Sequence, residues 1–310
     1  MSRVAGAVVT SLPHGLVARP LRETDLDAVV SMVNACELHD TGEVMLERAD
    51  LVADSGAEGF DPSTDWIGVF DGDRIVGSGI LERRHRLFTD VHPDARGRGV
   101  GTWLRAWSEE RARAAGSAEV VQVIDDRRED VASMLSAVGY TPQGTSWILR
   151  MDHPQRPARP VPPGGIELRA SRPEDEDDVL LLFERAFSEW PGRQPTSPNT
   201  WRAMVTEREG FEPEDLIVAL EDGVVVGGAF LIDADEIWVD KLAVASEFRH
   251  RGIARALLLT AFGRSFDRGY AWTALSTDSR TGALSLYERI GMRIHRSFTR
   301  YGRVLSSRAR

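Results

Sequence analysis

The chain has 310 residues, 42% of them hydrophobic, and a formal charge of −10 at pH 7. That length is enough for two domains of ordinary size with a core each, and the acidic balance argues against nucleic acid or an anionic membrane as a partner, since both want a basic face. A single cysteine, Cys36, excludes an intrachain disulfide and suits a reducing cytosol. The N-terminus lacks a basic region followed by an apolar run, and no stretch of about 18 apolar residues occurs, so the expectation is a soluble, cytoplasmic protein. Seven histidines show no ligand-like spacing, which predicts no metal site. Cys36 reads as buried or incidental, because a nucleophilic role would need a nearby base.

Residues before about Leu16 read as a loose tail. Val17 to Arg22 predicts a short strand entering a helix, with Thr24 or Asp25 as its cap. Leu26, Val29, Val30 and Val33 share one face of that helix. Glu37 to Glu58 is charged and less periodic. Trp66–Phe70 and Arg74–Leu81 read as strands around the turn Asp71-Gly72-Asp73. The basic run Arg83-Arg84-His85-Arg86 precedes another strand and reads as a solvated edge. Then come Arg96-Gly97-Arg98-Gly99-Val100-Gly101, a helix ending at Gly116, a strand over 120–124, a helix over about 129–138, and a last strand over 146–151.

The second half repeats this order. Arg19, Asp25, Ile67 and Gly77 recur as Arg169, Asp175, Ile217 and Gly227, at an offset of 150. Arg96 recurs as Arg249, and Gly139 as Gly291. A near-constant offset across a domain length indicates a duplicated unit. Between the copies, residues 152–165 carry five prolines, which no helix or central strand accommodates. The expected division is therefore 1–152, a linker over 153–165, and 166–310. In the second copy Glu174-Asp175-Glu176-Asp177-Asp178 reads as a helix N-terminus complementing the dipole. Ile237–Val244 reads as a strand. Leu258, Phe262 and Phe266 give the following helix its period, and Gly269 sits where its cap belongs.

Strand, basic glycine turn and helix together predict an anion site. The first N–H groups of a helix have no partner within it, and the dipole makes that end partly positive. Gly252 lets a ligand approach the backbone, so the amides of Arg249, His250, Arg251, Gly252, Ile253 and Ala254 can cradle a phosphate, with Arg249 and Arg251 adding charge. An ordinary strand-to-helix connection with surface arginines is the alternative for one copy alone. Two copies are hard to ascribe to chance.

Arg-x-x-Gly-x-Gly/Ala after a strand resembles the pyrophosphate loop of the GNAT acyltransferases, which bind acetyl-CoA. Ala283-Leu284-Ser285-Leu286-Tyr287-Glu288-Arg289-Ile290-Gly291-Met292 is similar to that family's Ala-x-x-Leu-Tyr-Glu-x-x-Gly-Phe segment. The resemblance covers both halves, so the whole chain looks like tandem GNAT proteins, the mycothiol-synthase type among them. It implies two mixed α/β (α+β, mixed-sheet) domains, acetyl-CoA as acyl donor without a metal, and a small-molecule or peptide amine as acceptor, with a homodimer left open. It also implies that the region after the first helix borders the acceptor. In the second copy that region holds Phe187, Glu189 and Trp190, an apolar wall with a carboxylate or else ordinary core aromatics.

Acetyl transfer to an amine needs a base, donors for the carbonyl oxygen and an acid for the departing sulfur. The resemblance implies Asp240 as base, with Glu236 as second candidate, Tyr287 as acid, and the amides of Leu242 or Val244 on the thioester and pantetheine. A carboxylate paired with Lys241 and a core tyrosine are the plain alternatives. The first copy has Leu87 and Leu135 at the corresponding places but keeps its loop, so it is expected to hold a CoA-like ligand at most, without transfer. One departure stands out. The family's Asn eleven residues before the Gly is Arg280 here and Arg128 in the first copy, with Asp278 expected to take over the helix cap. A mycothiol-synthase-like acetylation of an amino-sugar-linked cysteine and a non-catalytic CoA-binding module are the rival functions.

Overall fold

In a computed structural model, the structure describes residues 11–48, 51–52, 59–189, 195–234 and 236–305. The chain divides into two compact units, residues 1–143 with 298–310, and residues 144–297.

The first unit is a mixed sheet with helices on both faces. Strands β1 (Leu16–Pro20), β2 (Trp66–Asp71), β3 (Arg74–Glu82) and β4 (Arg86–Val91) pair antiparallel in order, as the hairpin signal at Asp71-Gly72-Asp73 predicts. β5 (Glu119–Asp125) runs parallel to β4, paired only at Arg86↔Val121. Helix α1 (Leu26–Thr41) buries Leu26, Val29, Met32 and Cys36 against Trp66, Phe70 and Ile75. Helix α2 (Val100–Ala114) covers the opposite face through Val100 and Leu104, on Val69 and Val76. A methyl group on Gly77 would stand 2.9 Å from Val100 Cγ1, so the glycine is what lets α2 lie close on β3. Helix α3 (Glu129–Ala137) shares the α2 face, where Leu135 packs with Ala112 and Tyr140.

The second unit repeats the plan with β7 (Ile166–Ala170), β8 (Leu216–Glu221), β9 (Val224–Asp233) and β10 (Ile237–Val244), antiparallel in order, then β11 (Trp272–Asp278) parallel to β10. α4 (Glu176–Ser188) and α5 (Ile253–Asp267) cover the two faces, and α6 (Leu284–Ile290) follows β11. Gly227 stands to Ile253 as Gly77 stands to Val100: a methyl group there would lie 3.0 Å from Ile253 Cγ2.

Asp25 does not cap α1 with its side chain. Its carboxylate takes two bonds from Arg19, at 2.7 and 2.8 Å, and one from the Arg22 N–H at 2.9 Å, closing the turn before the helix. Asp175 does the same with Arg169 and Arg172.

The last strand of each half departs from the sequence-based division. β6 (Thr141–Asp152) spends residues 146–152 as the antiparallel partner of β11, inside the second unit. Leu149 is fully buried there, and Trp147 and Met151 pack on the same core. β12 (Arg293–Val304) in turn gives residues 298–304 to β5 of the first unit. Each half thus closes the other's sheet, and the compact units change over at Gln143/Gly144 and Ser297/Phe298 rather than around a linker at 153–165. Residues 154–163 carry no regular secondary structure, as their prolines require.

Leu149→Ala should therefore weaken the second unit although it lies in the first half of the sequence. The expected loss is about 2–5 kcal/mol. Hydrogen exchange should speed up in residues 272–278 and stay unchanged in 119–125; the reverse pattern would contradict the strand exchange.

Candidate active site

The site is built around a fault in the second unit's sheet. β10 pairs with β9 through Val239↔Leu231 and then Lys241↔Phe230, so Asp240 is an extra residue, a β-bulge. On its other side β10 pairs with β11 only at Ile237↔Thr273 and Trp238↔Ala274, and beyond that the two strands have no ladder. The Ala245 N–H bonds Val226 O at 2.9 Å on the β9 side. Strand alternation then turns the amides of Leu242 and Val244 the other way, into the gap beside β11. In the first unit the β3–β4 ladder runs unbroken from Gly77↔Val91 to Glu82↔Arg86, with no bulge at the matching place.

The glycine loop sits at the open end of that gap. Gly252 adopts φ +88 and precedes the first turn of α5, and Ala256 N–H closes the first helical bond to Gly252 O at 3.1 Å. The amides of Ile253, Ala254 and Arg255 therefore have no carbonyl within the helix. His250 is also left-handed, at φ 62.

Its arginines are engaged with carboxylates in this structure. Arg249 donates to Val244 O at 3.2 Å and to both oxygens of Glu189 at 2.8 and 3.1 Å. Arg251 pairs with Glu221 and lies over the Phe248 ring. The first unit does the same: Arg96 binds Val91 O at 3.1 Å and Asp40 at 2.6 and 2.8 Å, and Arg98 binds Asp71 at 2.9 Å. These arginines tie the loop to the end of the first helix and to the hairpin turn. Gly99 and Gly252, which open the two helices, share the same φ, +88.

Tyr287 lies on α6 and is 8% exposed. It belongs to one cluster with Val244, Ile253 and Leu257, on whose margin Leu242, Ala254 and Leu284 pack. Among the described residues its hydroxyl has no hydrogen-bond partner, and burial pushes its ionisation up to about 12. It holds its proton through the physiological range. Tyr140 of the first unit is occupied instead, donating to Glu109 at 3.2 Å.

The two candidate carboxylates separate. Asp240 is exposed at the bulge and paired with Lys241. Glu236 sits before the strand's other end, bound by the Trp272 indole N–H and 3.8 Å from Arg150. Four residue steps along the strand, roughly 13 Å, divide them. Glu236 is thus fixed where β10 and β11 are still paired, away from the gap.

Asp278 does not cap α6. It accepts the Arg280 N–H at 2.8 Å and the Arg280 side chain, while the Thr281 hydroxyl takes the Ala283 N–H at 3.2 Å. Asp125 makes the same turn with Arg127, so Arg127, not Arg128, is the partner of Arg280 by structure. Phe187 stacks on Phe183 at 5.6 Å, and Glu189 is held by Arg249; Trp190 lies outside the described residues. Of the basic run, residues 83–85 form the β3–β4 turn, with Arg83 and Arg84 at positive φ, and Arg86 begins β4. Cys36 is buried, donates to Val91 O at 3.3 Å, and is pushed up to about 12 by burial and then by Asp90. Among the described residues no group of three His, Cys, Asp or Glu could hold a metal, and no helix is long and apolar enough to cross a membrane.

Comparison with known proteins agrees with this geometry. The profile of the acetyltransferase (GNAT) family matches residues 31–140 and again 179–292. A mycothiol acetyltransferase of Thermobispora bispora is 29% identical over 294 residues, covering 87% of this chain and 94% of its own. That of Rhodococcus erythropolis is 30% identical over 243 residues, covering 71% and 78%. Among solved structures, a GCN5-related N-acetyltransferase from Sphaerobacter thermophilus superposes with a TM-score of 0.79 at 29% identity, over 95% of this chain and 97% of that one. A tandem GNAT protein of the clavulanic acid pathway shares the fold, with a TM-score of 0.72 at 16% identity over 95% and 100%.

A difference titration of wild type against Tyr287→Phe, followed by phenolate absorbance, should show one tyrosine ionising near pH 12. A midpoint near the ordinary value of about 10 would mean that the hydroxyl is solvated rather than held in the cluster.

Proposed function

We propose, from the premise that the chain belongs to the acetyltransferase (GNAT) family, that its second unit transfers an acetyl group from acetyl-CoA to a primary amine by direct attack. It is an acyltransferase of that family, and both matched segments span a β-sheet wedge with a glycine loop at its mouth. The observation that carries the assignment to the second unit is the bulge at Asp240, which the first unit lacks.

Acetyl-CoA supplies the acyl group as a thioester. The amides of Ile253 and Ala254 are suited to its diphosphate, since nothing within the helix competes for them and Gly252 keeps the approach free of a side chain. Leu242 and Val244 present N–H groups to the gap, where the carbonyl oxygen gains charge. An alkyl ammonium with a pKa of about 10 is roughly one part in a thousand neutral at pH 7, a cost of about 4 kcal/mol. Asp240 takes that proton, directly or through water. The amine lone pair forms the C–N bond and the C–S bond breaks; the second proton of the nitrogen leaves to water, and the Tyr287 hydroxyl gives its proton to the departing sulfur and regains one from solvent.

A second reading concerns the acceptor. The mycothiol acetyltransferase of Thermobispora bispora aligns along 87% of this chain, which supports an amino-sugar-linked cysteine whose amine is acetylated. A non-catalytic CoA-binding module is the reading from another class.

Asp240→Asn should lower kcat/KM by roughly 10²–10⁴ with little change in acetyl-CoA affinity, and Tyr287→Phe should slow thiol release over a similar range. Glu236→Gln should keep the wild-type rate. Equal loss in Glu236→Gln and Asp240→Asn would remove Asp240 from its role. Thiol release by wild type no faster than background across an amine panel, the cysteine-linked amino sugar included, would favour the binding module.

A further inference from the structure

The first unit has the same wedge and the same loop, yet its wedge is spanned by side chains. Asp40, near the end of α1, receives Arg96 at 2.6 and 2.8 Å and Arg128 as well, and its side chain is only 6% exposed. Next to it the Thr41 carbonyl, the last of α1, accepts from Arg127 at 2.9 Å. Arg127 and Arg128 belong to the turn between β5 and α3. α1 covers one face of the sheet, and α3 lies with α2 on the other. These contacts join the elements on the two faces at the C-terminal end of β5, where β4 and β5 have parted beyond their single pair at Arg86↔Val121. Within the gap, Thr89 of β4 also bonds the buried Gln122 of β5 at 3.4 Å.

The second unit has no such crossing among the described residues. Arg280, the structural partner of Arg127, turns onto its own Asp278. The place of Arg128 is taken by Thr281, whose hydroxyl bonds Thr277, the Asp278 carbonyl and the Ala283 N–H. Glu189, the counterpart of Asp40, receives Arg249 and is exposed. Among the described residues no side-chain hydrogen bond joins 239–244 to 275–278.

We propose that Arg127 and Arg128, fastened across the wedge to Asp40 and Thr41, latch the first unit shut against an acyl-CoA arm, so that the chain takes one acyl-CoA, in the second unit only. This rests on the reading that the second unit's wedge receives acetyl-CoA. The loop amides of the first unit do not by themselves oppose it. A recess of about 590 Å³ lined by Pro13, His14, Arg98, Gly99 and Thr102 lies beside that loop, but a diphosphate held there would have no path for its pantetheine arm between β4 and β5. The desolvated Asp40 with two guanidinium partners is the kind of contact that resists opening, since parting it strands buried charge.

The test is native mass spectrometry of the full chain with acetyl-CoA, for wild type and the Arg127→Ala/Arg128→Thr double variant, with hydrogen exchange locating the ligand. Wild type should carry one acetyl-CoA, with protection gained at residues 252–256 and none at 99–103. The double variant should carry two and gain protection at 99–103. Two molecules on wild type, a single one protecting 99–103, or one still on a folded double variant would each overturn the latch. If the double variant does not fold, the wild-type count and location decide. If wild type binds none, the reading of the second unit fails, and the latch stands or falls on whether the double variant gains a molecule at 99–103.

Discussion

The structure depends on an unmade set of hydrogen bonds. Two parallel strands normally satisfy each other's amides along their length, and backbone groups left unpaired away from water are costly. β10 and β11 stop pairing after Trp238 and Ala274, and the bulge at Asp240 changes the register on the β9 side at the same level. The amides of Leu242 and Val244 are left facing the gap, and the free amides of α5 begin a few residues beyond. Everything assigned to acyl transfer is a way of using donors that the fold itself does not use.

The same wedge occurs twice, and comparison within one chain isolates what differs. Both units anchor the loop by the same devices, an arginine to the end of the first helix and another to the hairpin turn. Both lay a helix on a strand glycine. Among the described residues, the second unit alone has the bulge beside its wedge and, on the helix after its parallel strand, a buried tyrosine whose hydroxyl makes no hydrogen bond. Among those residues the first alone has arginines fastened across its wedge. The exchange of last strands, 146–152 into one sheet and 298–304 into the other, also makes each half a structural part of its neighbour's unit. The first half of the sequence, to which the proposal assigns no chemistry, is thereby still needed for the core around Tyr287, where Leu149 is buried.

Much of this is legible in the residues. Period-two runs, the Asp71-Gly72-Asp73 turn, and the glycines at 116, 269 and 291 give the elements. The constant offset gives the duplication, and the two loops with Tyr287 give the family. The rest is hidden for physical reasons. Ser146 to Met151 looks like a strand whichever sheet receives it, because alternation encodes a face and not a partner. A bulge leaves no mark in a segment such as Val239-Asp240-Lys241. Arg249 and Arg251 look available in the sequence because their carboxylates lie 60 and 30 residues away; the signal is that Asp40 and Glu189, and Asp71 and Glu221, recur at nearly the same offset as the arginines. Counting back from Gly139 sets Arg128 opposite Arg280, whereas the turn at Asp125 makes Arg127 its equivalent, one residue earlier.

The most direct measurement is a crystal structure of the full chain grown with acetyl-CoA. The account predicts density for the pantetheine arm between β10 and β11, with its carbonyl oxygens within hydrogen-bond distance of the Leu242 and Val244 N–H groups and the diphosphate on the amides of 252–254. Density for the arm outside that gap, with those two amides facing solvent, would contradict it.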